Sequence, residues 1–221
     1  MKLEINKLSK KFGDTIVIND VSLTFTGGNI YGFIGRNGSG KSVFLKMICG
    51  FYTPTSGNIL LDGKDYIADK EFPQDTRALI EKPKFLPDLT GYENLELLAS
   101  VQDIIGKKEI DEVIKKLNLE KDANKKYSKY SLGTKQKLGI AQVLMENPNL
   151  IILDEPFNGV ENETAEKIRS ILLEEKKKGK LILIASHIKE DIYGLADVVY
   201  EVNAGNIDVV HFDIKYNNKK I

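Results

Sequence analysis

Gly35-Arg36-Asn37-Gly38-Ser39-Gly40-Lys41-Ser42 lies between a run that reads as a buried strand, Ile30-Tyr31-Gly32-Phe33-Ile34, and one that reads as a helix, Val43 to Cys49. Strand, Gly-x-x-x-x-Gly-Lys-Ser, helix is an arrangement that cradles nucleotide phosphates. The residue types follow from that task. Glycines at 35, 38 and 40 are expected to supply positive φ, so that successive N–H groups converge on one anion where a helix begins. A Cβ at position 40 is expected to intrude on the phosphate. Lys41 is placed to reach the β- and γ-phosphates and the Ser42 hydroxyl to ligate Mg²⁺. A glycine-rich turn that merely contains Lys-Ser is the competing reading, and the flanking strand and helix argue against it.

The chain is long enough for one sizeable α/β unit with an inserted lobe. Thirty-two basic residues balance thirty-two acidic ones, so no global field favours a polyanion and no nucleic-acid partner is expected. The single cysteine, Cys49, excludes an intramolecular disulfide and reads as a small buried hydrophobe. Met1-Lys2-Leu3-Glu4-Ile5 lacks the apolar core of a signal peptide. The longest apolar runs, such as Leu181-Ile182-Leu183-Ile184-Ala185, fall far short of the roughly 20 residues that cross a bilayer. Any work at a membrane is therefore expected to need a partner with the spanning segments.

Residues 2 to 34 read as β-structure. Leu3-Glu4-Ile5, Thr15 to Ile18 and Val21 to Phe25 read as separate strands of an antiparallel sheet, with Phe12 on a loop within it as an ordinary packing residue. Ile59-Leu60-Leu61 and Arg77-Ala78-Leu79-Ile80-Glu81 read as further strands, the second ending before Pro83 and Pro87. Thr90-Gly91-Tyr92-Glu93 is a capping box ahead of Leu95, Leu97 and Leu98. Ile110, Val113, Ile114 and Leu117 make a second amphipathic stripe. Residues 82–146 are thus expected to form a helical subdomain, its lysine-rich connectors solvated. Residues 1–81 and 147–221 form the α/β core with its β-subdomain, within one domain spanning 1–221.

Leu150-Ile151-Ile152-Leu153-Asp154 and Leu181 to Ala185 have the continuous apolar character of strands buried on both faces, with a charged helix between them, so the core sheet is expected to be mostly parallel. Val198 to Val202 and Asn206 to Val210 read as a closing hairpin, and the tail from Lys215 to Ile221 as frayed. Asp154 and Glu155 stand at the C-terminal end of a core strand, the edge where open α/β sheets bind ligands. One carboxylate can hold Mg²⁺ while its neighbour reaches a water in line with the γ-phosphate. An Asp capping a strand end beside a solvated Glu is the plainer reading.

In order and approximate spacing, the phosphate loop, Tyr130-Ser131-Leu132-Gly133-Thr134-Lys135-Gln136, Asp154-Glu155-Pro156 and Ser186-His187 resemble the ABC ATPases, the nucleotide-binding subunits of ABC transporters. The resemblance covers essentially the whole chain. It implies a P-loop NTPase core that binds ATP with Mg²⁺ and hydrolyses it. Phe12 then corresponds to an aromatic that stacks on adenine. Ser131 and Gly133 correspond to a signature segment at a helix N-terminus that faces the γ-phosphate held by the other subunit of a head-to-tail dimer. His187 corresponds to a histidine that donates to the γ-phosphate. The implied partners are a transmembrane permease and a second cassette, identical or different, at the cytoplasmic face of the membrane.

Three features depart from the family pattern. Leu-Ser-Gly-Gly-Gln becomes Tyr130-Ser131-Leu132-Gly133-Thr134; Glu81 replaces a glutamine near the metal, where its carboxylate can still ligate; Glu161 replaces an aspartate. The first two resemble the branch that exports, or confers immunity to, bacitracin-type and lantibiotic peptides. Soluble ABC ATPases of DNA repair or translation and small-molecule kinases share the phosphate loop and remain open at this stage.

Overall fold

In the computed structural model, residues 1–210 are described; the basic tail from Lys215 lies outside them. Three strands, β1 (Lys2–Phe12), β2 (Thr15–Thr26) and β4 (Ser56–Leu61), form an antiparallel sheet in the order β2-β1-β4. A second sheet takes β3 (Asn29–Ile34), β5 (Thr76–Leu79), β6 (Leu150–Asp154), β7 (Leu181–Ser186), β8 (Val198–Asn203) and β9 (Asn206–Val209) in the order β5-β6-β7-β3-β8-β9. Every pairing in it is parallel except the β8–β9 hairpin.

The apolar run of β6 is explained by its two faces. Ile151 and Leu153 join one buried cluster, with the helices α2 (Gly91–Gln102), α3 (Lys107–Lys116), α4 (Leu132–Leu144) and α5 (Asn162–Lys177). Leu150 and Ile152 join the other, with α1 (Lys41–Ile48) and the antiparallel sheet. Successive side chains on a strand point to opposite faces, so a strand covered on both sides must be apolar throughout. Ile152 is 0% exposed, and Ile152→Ala would cost roughly 3 kcal/mol through lost burial and the cavity left behind.

Two expectations change. Thr15–Ile18 and Val21–Phe25 are one strand, β2, bent by register shifts against β1. Lys7 and Asp20 take positive φ (47° and 48°) at those bulges. Phe12 closes β1 rather than lying in a loop. The buried residues of the helical layer belong to the cluster that covers the sheet. The Thr90–Glu93 capping box is formed in both directions: Glu93 N–H donates to Thr90 Oγ1 (3.1 Å) and Thr90 N–H donates to Glu93 Oε2 (2.7 Å). Cys49 is buried.

Candidate functional site

The phosphate loop leaves β3 and enters α1 at the C-terminal edge of the parallel sheet. Gly38 (φ 79°) and Gly40 (φ 113°) hold conformations that L side chains resist. Gly35 is needed for a different reason from the one expected. It has no positive φ, but a Cβ there would lie 2.4 Å from the Val202 carbonyl oxygen on β8. A Cβ on Gly40 would likewise meet protein, 2.8 Å from the Val17 carbonyl oxygen. Asn37 is exposed on the loop and Ser39 half-buried, its Oγ without a hydrogen-bond partner among the described residues.

Lys41 is buried, and its Nζ donates to the carbonyls of Gly35 (2.7 Å) and Arg36 (3.2 Å). Burial lowers its pKa, opposed by the charges of Glu155 and Asp154. Among the described residues its hydrogen bonds go to backbone carbonyls of its own loop, a weak substitute for the water lost on burial.

β6 delivers the two carboxylates. The Ser42 hydroxyl donates to Asp154 Oδ2 at 2.6 Å, joining α1 to the strand end. Asp154 is 3% exposed. Its Oδ1 is buried with no hydrogen-bond partner among the described residues. Burial raises its pKa, the Ser42 hydrogen bond opposes the rise, and Glu155 adds to it.

Glu155 has φ 53°, a strained backbone for a residue with a side chain. Its N–H donates to Ala185 O (2.8 Å), which ties it across to β7. There His187 N–H donates to Glu155 Oε1 (2.9 Å), His187 Nδ1 lies 2.8 Å from Oε2, and Ser186 Oγ lies 3.2 Å from Oε2. The ends of two adjacent parallel strands thus bring Glu155, Ser186 and His187 together beside Asp154 and Lys41.

The remaining expected residues stand apart from that cluster. Phe12 is 44% exposed and meets Tyr52 edge-on at 5.5 Å, with Lys10 Nζ 4.9 Å from its ring centre. Its hairpin lies beside the phosphate loop through Val17 and Gly40. Glu81 (φ 67°) pairs with Lys46 of α1 at 2.5 Å, and no hydrogen bond joins it to Ser42 or Asp154 among the described residues. Ser131 is exposed and caps α4, its Oγ accepting from Thr134 N–H at 3.2 Å. Gly133 lies near Gly159 and Val160. No hydrogen bond among the described residues links Ser131 or Gly133 to the phosphate loop. A link from α4 runs through Gln136, whose Nε2 donates to the Glu155 carbonyl at 3.3 Å. Sequence reasoning did not single out Lys46, Arg169 or Asp191 for the site; each is a charged residue in an ordinary setting, with no spacing to mark it.

Residues 18–158 match the family model described as ABC transporter. This chain belongs to that family. It is 39% identical over 206 residues to the uncharacterized ABC transporter ATP-binding protein YybJ of Bacillus subtilis, covering 93% of this chain and 94% of that one. The bacitracin transport ATP-binding protein BcrA of Enterococcus faecalis is 38% identical over 93% of this chain and 67% of its own length. The lantibiotic transport ATP-binding protein SrtF of Streptococcus pyogenes is 32% identical, covering 93% and 88%. Among solved structures, an ATP-binding subunit of an ABC transporter superposes with a TM-score of 0.84 at 27% identity, over 94% of this chain and 88% of that one. The ABC chain described here is accordingly an ATP-binding, ATP-hydrolysing transporter subunit.

The residues present suit a small hard cation. Asp154 Oδ1 lacks a partner in a site that penalises its charge, and the Ser42 hydroxyl oxygen lies beside it. Among the described residues no cluster of three or more His, Cys, Asp or Glu forms a complete metal cage. One or two protein oxygens shared with substrate phosphates is the coordination Mg²⁺ favours.

Proposed function

We propose that this chain energises the export of antimicrobial peptides of the bacitracin or lantibiotic type through a separate permease, as a Mg²⁺-dependent ATPase acting in a dimer of cassettes. The observation that carries the reading is the Glu155 carboxylate, fixed by His187 and Ser186 beside the phosphate loop and the Ser42–Asp154 pair. The names of the relatives support the peptide cargo. None of the helices among the described residues is long and apolar enough to cross a membrane, which fits a permease that supplies the spanning part and holds this chain at the cytoplasmic face.

In this mechanism Lys41 releases the Gly35 and Arg36 carbonyls and binds the β- and γ-phosphate oxygens of ATP. Ser42 and Asp154 would hold Mg²⁺, which supplies charge neutralisation on the phosphates when bound. Glu81 would need to leave Lys46 to take part. Glu155 orients the attacking water and accepts its proton. His187 keeps Glu155 in place through its backbone N–H, and its ring would turn from the carboxylate to donate to the γ-phosphate. Phe12 offers its exposed face to adenine. The Ser131 hydroxyl and the N-terminus of α4, with Gly133 close to the Gly159 turn, complete the site of a second cassette, because a capped but exposed helix start attracts an anion. Loss of the γ-phosphate then separates the cassettes.

Light scattering of E155Q with MgATP and MgADP tests the dimer. ATP is expected to double the mass and ADP to leave it unchanged; a mass independent of nucleotide would overturn the arrangement. Recovery of a polytopic membrane protein with the tagged chain, extracted from membranes in detergent, tests the permease.

A further inference from the structure

Ser186 is wholly buried between two carboxylates. Its Oγ lies 3.2 Å from Glu155 Oε2 and 3.2 Å from Asp191 Oδ2, and it accepts the Ile188 N–H at 3.1 Å. A hydroxyl has one proton and two lone pairs. With one lone pair taken by Ile188, the single proton can serve only one of the two acids. What Asp191 has instead is Arg169. The Arg169 guanidinium donates to the Asp191 carbonyl (2.5 Å) and to Asp191 Oδ1 (3.3 Å). It also stacks on the Phe157 ring, 4.4 Å from its centre, two residues beyond Glu155. One side chain from α5 thereby grips both the segment after β6, which carries Glu155, and the segment after β7, which carries Ser186 and His187.

We infer that Arg169 is a positioning residue for hydrolysis: by satisfying Asp191 it directs the Ser186 proton to Glu155 Oε2, and by stacking on Phe157 it fixes the segment that presents that carboxylate. This rests on the reading of Glu155 as the group that handles the water. In R169Q the Asp191 carboxylate loses its counter-charge and competes for the Ser186 proton, so a lone pair instead of a proton faces Glu155. In R169Q/D191N the amide introduced by the second substitution can donate to Ser186 Oγ, and the hydroxyl proton returns to Glu155. A merely structural arginine gives no reason for the second substitution to repair the first.

The test is steady-state phosphate release by the full chain, normalised to nucleotide-binding sites, for R169Q, R169K, D191N and R169Q/D191N. R169Q is expected to lower kcat on the order of tenfold, the scale typical of lost supporting hydrogen bonds, with KM for ATP within about twofold because Arg169 touches none of the phosphate-loop residues in the described contacts. R169Q/D191N is expected to regain most of that loss. R169K, which keeps charge without the planar fork, is expected to fall between parent and R169Q, and it carries the test if R169Q is poorly folded. A parent-like kcat in R169Q, a loss confined to KM, or a double variant no better than R169Q would overturn the inference. E155Q separates the two claims: if E155Q turns over like the parent the underlying reading fails, whereas an inactive E155Q with no rescue by D191N removes Arg169 alone.

Discussion

Two carboxylates in this molecule are equally buried, Asp154 and Glu175, each 3% exposed, and they could hardly be treated more differently. Glu175, on α5, is ringed by Lys116 of α3 at 2.7 Å, Lys178 at 2.8 Å and the buried Lys180 at 2.7 Å. Burial works against its charge, but the three lysines outweigh it and hold the pKa at about 2. Asp154 has one hydroxyl donor, an oxygen with no partner among the described residues, and a pKa pushed upward by burial. The first is a lysine-rich ion-pair network that staples the helical layer to the core, Glu175 Oε2 meeting Lys180 as an ion pair without a hydrogen-bond partner among the described residues. The second has no ion-pair partner among the described residues and lies beside the phosphate loop, hydrogen-bonded to Ser42.

The contrast is broken most directly by neutralising each acid. D154N is expected to lower ATP turnover on the order of a thousandfold, the upper range for loss of one electrostatic contact at a reacting centre, while its Tm stays at or above the parent's. Phosphate release and calorimetry on the same preparation check both halves. A large fall in Tm would mean that Asp154 is structural. E175Q should do the reverse. It leaves Lys180 buried with only Asn147 Oδ1 as a described partner, and removal of one partner from a buried charge network costs roughly 3 kcal/mol. Urea titration is expected to show that loss with turnover per folded molecule unchanged.

The pH dependence sharpens the same comparison, with opposite signs. The folded pKa of Glu175 lies below its ordinary 4.5, so its contribution to stability is present above pH 4.5 and lost as pH falls toward about 2. E175Q is expected to flatten the stability profile in that window; an unchanged slope would remove Glu175 as its source. The folded pKa of Asp154 is raised above its ordinary 3.8, so its ionised form is a burden that builds as pH rises from 3.8 to the folded pKa and stays in full above it, and D154N is expected to relieve it. The smallest effect belongs to a local device of the helical layer. T90A deletes the acceptor that caps α2 and is expected to cost about 1 kcal/mol without changing turnover, as denaturant titration and phosphate release will show.

Much of the fold is legible in sequence where periodicity and turn chemistry agree. The phosphate loop announces itself because few residue types fit its backbone, and β6 and β7 because doubly covered strands must be apolar. Glu155 follows from its place at the end of β6, and His187 from the resemblance at the end of β7. Other features depend on contacts distant in the chain. Gly35 is dictated by Val202, and Gly40 by Val17 as well as by its own φ, neither of which local sequence contains. The bulges that make β2 one strand depend on its pairing with β1. Lys46 meeting Glu81, and Arg169 meeting Asp191 and Phe157, are charged residues whose partners lie on other segments of the chain, so nothing in composition distinguishes them from solvated ones.

The most direct trial of the whole account is phosphate release by E155Q at MgATP concentrations where nucleotide binding is independently shown to be intact. Loss of a general base predicts a fall of at least about a hundredfold with ATP still bound. Turnover at the parent rate would contradict the assignment of the β6 and β7 ends as the hydrolytic centre.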